Sequence, residues 1–149
     1  MDQDAFRRTY REMNERFCAY EKSLLSRHCD CSQAKKICIA EREGVHCLSD
    51  EANAQCIELL KNLRHQARFA LKSNNDNEVL PHGKAMRLQV GGLRGLFSVL
   101  YPDQTTPEFI EDVYQLISQA KAEFDSLENL PFQTLIQHVS AYQGRRRLR

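Results

Sequence analysis

Apolar residues recur in alternating steps of four and three along most of the chain, and that period predicts its helices. Between Asp4 and Arg27 they fall at Phe6, Tyr10, Met13, Phe17, Tyr20 and Leu24. Charged Arg7, Arg8, Arg11, Glu15, Arg16 and Glu21 fill the opposite side, as in an amphipathic helix packed on a core. A second seam runs Ala52, Cys56, Leu59/Leu60, Leu63, Ala67, Ala70. Ser49 or Asp50 suits its N-cap, and Asp50 and Glu51 place acid in the first turn. A third runs Met86, Val90, Leu93, Phe97, Leu100. Thr106, Pro107 and Glu108 form a start signal for a fourth, with Phe109, Val113, Leu116/Ile117, Ala120 and Phe124 as its apolar face. The last opens near Asn129 and carries Phe132, Leu135/Ile136, Val139 and Tyr142 to a terminator at Gly144.

The helical period fails in two places. Lys72 to Glu78, in a loop spanning 72–80, is polar throughout. Residues 28–48 have no helical seam either. There Ile37 and Ile39 alternate with Cys38 and Ala40, E-R-E-G offers a turn, and V-H-C-L resumes. The segment reads equally as a short hairpin turning at Gly44, or as one helical turn followed by a loop. The expectation is an all-α single domain, 1–149: a bundle of about five helices with a cysteine-rich insertion, 28–48, between the first two long ones. Gly91, Gly92 and Gly95 lie inside the third helix. They point to close approach of a neighbouring helix or a kink, since V-G-G-L-R-G is not a phosphate loop.

Composition narrows the function classes. A net charge of +1 gives no global field toward nucleic acid or lipid. Arg145, Arg146, Arg147 and Arg149 in the tail 144–149 are the one basic cluster, and no recognised nucleic-acid motif accompanies them. Nucleic-acid contact through them is not favoured. With no apolar run at the start and none long enough for a bilayer, a soluble cytoplasmic protein is expected. Paired acids such as Glu12/Glu15 and Glu108/Glu111 have no histidine partners and read as surface charge, so an enzyme is not the leading expectation.

Candidate chemistry sits in the cysteines. Five of six lie between Arg27 and Cys56, and Cys29, Cys31, Cys38 and Cys47 form C-x-C-x6-C-x8-C. Four soft thiolates at this density suit an iron–sulfur cluster first, and Zn2+ second. The uneven spacing departs from the paired knuckles of structural zinc sites. Cys18, Cys56, His28 and His46 are possible additional ligands. On an unbroken helix Cys18 and Cys29 would stand roughly 16 Å apart, so Cys18 joins only if the chain folds back. Cys56 falls on an apolar seam, where a cysteine usually packs as a small hydrophobe. Arg27, Lys35, Lys36 and Arg42 are placed to favour deprotonated thiols. The equal nine-residue spacing of Cys29, Cys38, Cys47 and Cys56 would alternate faces on one helix, so the segment must bend.

Three functions follow. The first is a small cysteine-ligated metalloprotein with an electron-transfer, redox-sensing or accessory role. The second is a zinc-stabilised helical adaptor for a protein partner. The third is a thiol/disulfide redox protein without metal.

Overall fold

The computed structural model describes residues 16–39, 41–73 and 75–144; for Ile39 only the backbone is described. Among them are five helices and one two-stranded antiparallel sheet, with about 52% of the chain helical. This corrects the all-α expectation: the fold is a small mixed domain. The elements, in order, are α1 (Glu21–Leu25), β1 (Ala34–Ile39), β2 (Arg42–Cys47) and α2 (Asp50–Gln66). There follow α3, a continuous run of His82–Met86, a π-helical Arg87–Gly91 and Gly92–Leu100, then α4 (Val113–Phe124) and α5 (Phe132–Ala141).

The hairpin forms because residues 34–47 alternate and have somewhere to pair. Its register runs from Ala34 opposite Cys47 to Ile39 opposite Arg42. The turn therefore lies between Ile39 and Arg42, with Glu41 in the left-handed region (φ 69°), and Gly44 lies within β2 opposite Ile37. The turn is thus three residues earlier than Gly44 suggested: register is set by which residues the body buries, and Val45 and Cys47 are the buried ones.

Among the described residues, the helix expected from the periodicity is absent at 16–20. Residues 4–15 lie outside the described residues. Residues 16–18 are extended along β2, where Cys18 N–H donates to Val45 O (2.8 Å) and Cys47 N–H donates to Arg16 O (2.8 Å). Phe17 bridges His46 between them. These interstrand bonds displace the helical ones, so α1 begins only at Glu21. Glu21 then accepts the Val45 N–H on its carboxylate (2.7 Å), tying α1 to β2. The chain leaves α1 through Arg27, left-handed at φ 63°.

α2 starts where its cap requires: Ser49 Oγ accepts from the Ala52 N–H (3.1 Å). The fourth helix starts later than Thr106–Pro107 suggested, at Val113, capped by Asp112. Residues 110–113 are drawn into extended bonding with the cysteine segment instead. Asp30 N–H donates to Ile110 O (2.9 Å), Ile110 N–H to His28 O (3.2 Å), and Val113 N–H to Asp30 O (3.0 Å).

The core gathers apolar residues from every helix: Leu24, Leu59, Leu63, Leu93, Leu96, Ile117, Leu135 and Val139, with Val45 from the hairpin. Each such side chain contributes about 1.5–3 kcal/mol by leaving water. α3 and α5 approach most closely at the glycines. A Cβ on Gly91 would stand 2.7 Å from Val139 Cα, and one on Gly95 2.9 Å from Leu135 Cα. The close-approach reading of these glycines accounts for them.

Candidate cysteine centre

Four cysteines from four separate places in the chain line one small cavity. Cys18 comes from the strand-like segment before α1, Cys31 from the loop before β1, Cys47 from the end of β2, and Cys56 from the second turn of α2. Tyr20, Ala34, Ala52 and Val113 complete its apolar wall. Its open volume is about 10 Å³, room for one water-sized atom. Cys29, buried, lies beside this group and raises the pKa of both Tyr20 and Cys56.

Each placement has a local cause. Cys18 arrives because residues 16–18 fold back onto β2, the condition its distance from Cys29 imposed. Cys47 ends β2 at the edge facing the helices, and its thiol donates to Ser49 O (3.3 Å). Cys56 is on the buried face of α2, fixed by the Ser49 cap about two turns before it. Cys31 is held by the bonds that bind its loop to α4: Asp112 Oδ1 accepts the Ser32 N–H (3.0 Å) while capping its own helix.

Two sulfurs receive backbone N–H bonds from the residue two positions on: Cys18 from Tyr20 and Cys31 from Gln33, the latter also from Tyr114. Such donors stabilise a thiolate. Burial opposes them and prevails. It pushes the Cys18 thiol up to about 12, with the Cys31 and Cys47 sulfurs adding to the rise. Burial also raises Cys29, Cys31 and Cys56, and neighbouring thiols push each further. The direction is opposite to that expected from nearby Arg and Lys. Lys35 and Lys36 are exposed on β1, where water screens them.

All six cysteines are free thiols. As the side chains stand, no group of three or more His, Cys, Asp or Glu residues among the described residues could hold a metal ion. The thiols line the same space without closing on a common point.

Of the residues singled out in sequence, Cys31 and Cys47 enter the cavity and Cys29 lies beside it. Cys38 does not. It is exposed, opposite Glu43 near the turn. It shares a sheet face with Ala34, but four residues at about 3.3 Å each place it roughly 13 Å along the strand. His28 stacks edge-on against Tyr142 (6.2 Å between ring centres), and neither it nor His46 lines the cavity. His46 points to the other face of β2 from Cys47. Cys18 and Cys56, secondary candidates in the sequence, are full members. The available signals were Cys56 on a buried seam and the alternation that places Val45 and Cys47 on one face.

No protein-family model, curated protein or solved structure matches the chain. Among the described residues no helix is long and apolar enough to cross a membrane.

Proposed function

We propose that this protein is a metal-stapled adaptor domain in which Cys18, Cys31, Cys47 and Cys56 bind a single Zn2+ ion. The observation that carries the reading is their convergence on one atom-sized cavity from four elements up to 38 positions apart in the chain. Four thiols are the donor set of a closed structural zinc site. The N–H bonds to Cys18 and Cys31 supply the outer support such sulfurs use. Each cysteine has one side-chain torsion, so rotation about Cα–Cβ is the movement that would carry the thiols from lining the cavity to meeting an ion. Bound there, the ion would supply the positive charge that buried thiolates otherwise lack, and would fasten segment 16–18, the hairpin and α2 together.

A cavity of this size favours one ion over a multi-iron cluster. A cluster is the second reading, supported by Cys29 as a fifth buried thiol alongside. Thiol exchange is the least supported, because it needs a lowered pKa and burial raises Cys18, Cys31 and Cys56. Phe17 and Leu48, each next to a cavity cysteine and about half exposed (52% and 54%), support a partner surface over the staple.

Metal analysis of protein purified without oxygen tests the proposal. One equivalent of zinc in a colourless protein, lost in Cys31→Ser and Cys56→Ser but kept in Cys38→Ser, is the expected result. A brown protein with iron and labile sulfide would move the assignment to a cluster. Metal-free protein that binds no added zinc would remove the staple altogether.

A further inference from the structure

The connection from α3 to α4 builds a second cavity. Residues 101–112 join Leu100 to Val113 without a helix or strand of their own. That is long beside the roughly 2–8 residues usual between packed helices. The loop is pinned at its far end, where Ile110 N–H donates to His28 O and Ile110 O accepts the Asp30 N–H. Between this loop, the last turn of α3 and the first turns of α4 lies a space of about 430 Å³. Small-molecule sites span about 300–1,000 Å³.

Its lining carries one sign of charge. Phe97, Tyr101 and Phe109 supply aromatic rings, Glu111 and Asp112 supply carboxylates, and among the described residues no Lys, Arg or His lines it. The sequence holds the same bias on a larger scale. Residues 95–120 include Asp103, Glu108, Glu111 and Asp112 and no basic side chain, in a chain whose net charge is +1. α3 ends at Leu100, which places the negative end of its dipole at the cavity, between Phe97 and Tyr101. The positive end of α4 also borders the space and is offset by its Asp112 cap. These groups can be reached from solvent: Glu111 is exposed, and Phe109 is 43% exposed.

We infer that this cavity binds a quaternary ammonium group on a small molecule of choline size. Its methyl groups would lie against Phe97, Tyr101 and Phe109, with its charge offset by Glu111 and the end of α3. An anion is repelled by this lining, and a neutral ligand gains nothing from its charge. Two acceptors in the wall are already engaged: Gln119 Oε1 accepts the Tyr101 hydroxyl (2.7 Å), and Asp112 Oδ1 accepts the Ser32 N–H (3.0 Å). A primary ammonium brings three N–H groups that need acceptors. A quaternary one brings none and is held by ring faces and opposite charge. The cavity shares no lining residue with the cysteine centre, so the inference does not rest on the metal reading.

The test is an NMR titration of the full chain with choline, its uncharged carbon analogue 3,3-dimethylbutan-1-ol, and ethanolamine. Choline is expected to bind, with amide shifts centred on residues 97–119 and its N-methyl protons moved upfield by the rings. The analogue and ethanolamine should bind at least about tenfold more weakly, the scale of a desolvated cation–π contact. Phe109→Leu keeps an apolar side chain at a half-exposed position and should weaken choline by about fivefold through loss of one ring. Glu111→Gln should weaken it by about threefold at low salt, a difference that shrinks as salt is added. Equal affinity for choline and its uncharged analogue would overturn recognition of the charge. Absence of choline binding, or undiminished binding in both variants, would overturn the site.

Discussion

Cys38 and Cys47 sit in the same hairpin on the same face, yet only Cys47 reaches the cavity, because β2 ends against the helices and Cys38 lies out by the turn. Residue type is therefore not enough at this scale; reach along the strand decides. Cys38→Ser is expected to leave metal content and melting temperature unchanged. Cys18→Ser, Cys31→Ser, Cys47→Ser and Cys56→Ser should each reduce bound zinc. Each should also destabilise by about 1–3 kcal/mol even without metal, through burial of a less satisfied hydroxyl. Zinc content and thermal melts of the five variants check this. If Cys38→Ser lost the metal while Cys18→Ser and Cys56→Ser kept it, the ligand set read from the sequence would be right and that from the structure wrong. The possible histidine ligands were less legible, because a ring's direction depends on strand face and packing rather than on sitting next to a cysteine.

At the level of elements, the helices whose ends are capped locally were legible, and those whose ends are decided by distant strands were not. Ser49 caps α2 with its own oxygen three residues from the donor, so its start is visible in a few letters of sequence. Thr106–Pro107–Glu108 carries as good a local signal, but residues 110–113 bond to residues 28–30 across some eighty positions, and α4 waits until Val113. The α3–α5 contact gives a paired prediction. Gly91→Ala puts a methyl 2.7 Å from the Val139 backbone, which cannot yield as a side chain would. It should cost about 1–3 kcal/mol, lowering the melting temperature by roughly 2–4 °C per kcal/mol. Gly83→Ala, in the first turn of α3 with nothing within 4 Å, should stabilise by up to about 1 kcal/mol. Ser23→Ala removes the buried hydroxyl that Gln89 accepts across α1 and α3. Its expected cost is about 1–3 kcal/mol, read from denaturant midpoints at unchanged slope.

For the molecule as a whole, the raised thiols set a pH dependence with a definite sign. A thiol whose folded pKa exceeds its ordinary value of 9.0 favours the folded state while protonated. That contribution is complete below about 9 and is lost as pH rises toward about 12, where Cys18 ionises in the fold. Metal-free protein should therefore lose stability steeply above pH 9, and zinc-loaded protein should not. Binding zinc must displace those protons, so affinity should rise with pH and proton release should accompany titration. Melts of chelated and zinc-loaded protein from pH 7 to 11 (a range set by these thiols) check both signs. Identical profiles would separate the buried thiols from any metal.

By itself the sequence determined the helical content after residue 49, the capped start of α2, the buried seams, the close-packed glycines and the density of soft ligands. These depend on neighbours three or four residues away, or on residue type alone. Only the tertiary structure decided that residues 16–18 run extended against β2, that the hairpin turns between Ile39 and Arg42, and that Cys18 and Cys56 replace Cys38 at the cavity. Those outcomes are set by backbone pairing and burial between segments tens of residues apart. The hydrophobic period along the chain carries no record of which distant partner a polar backbone will find.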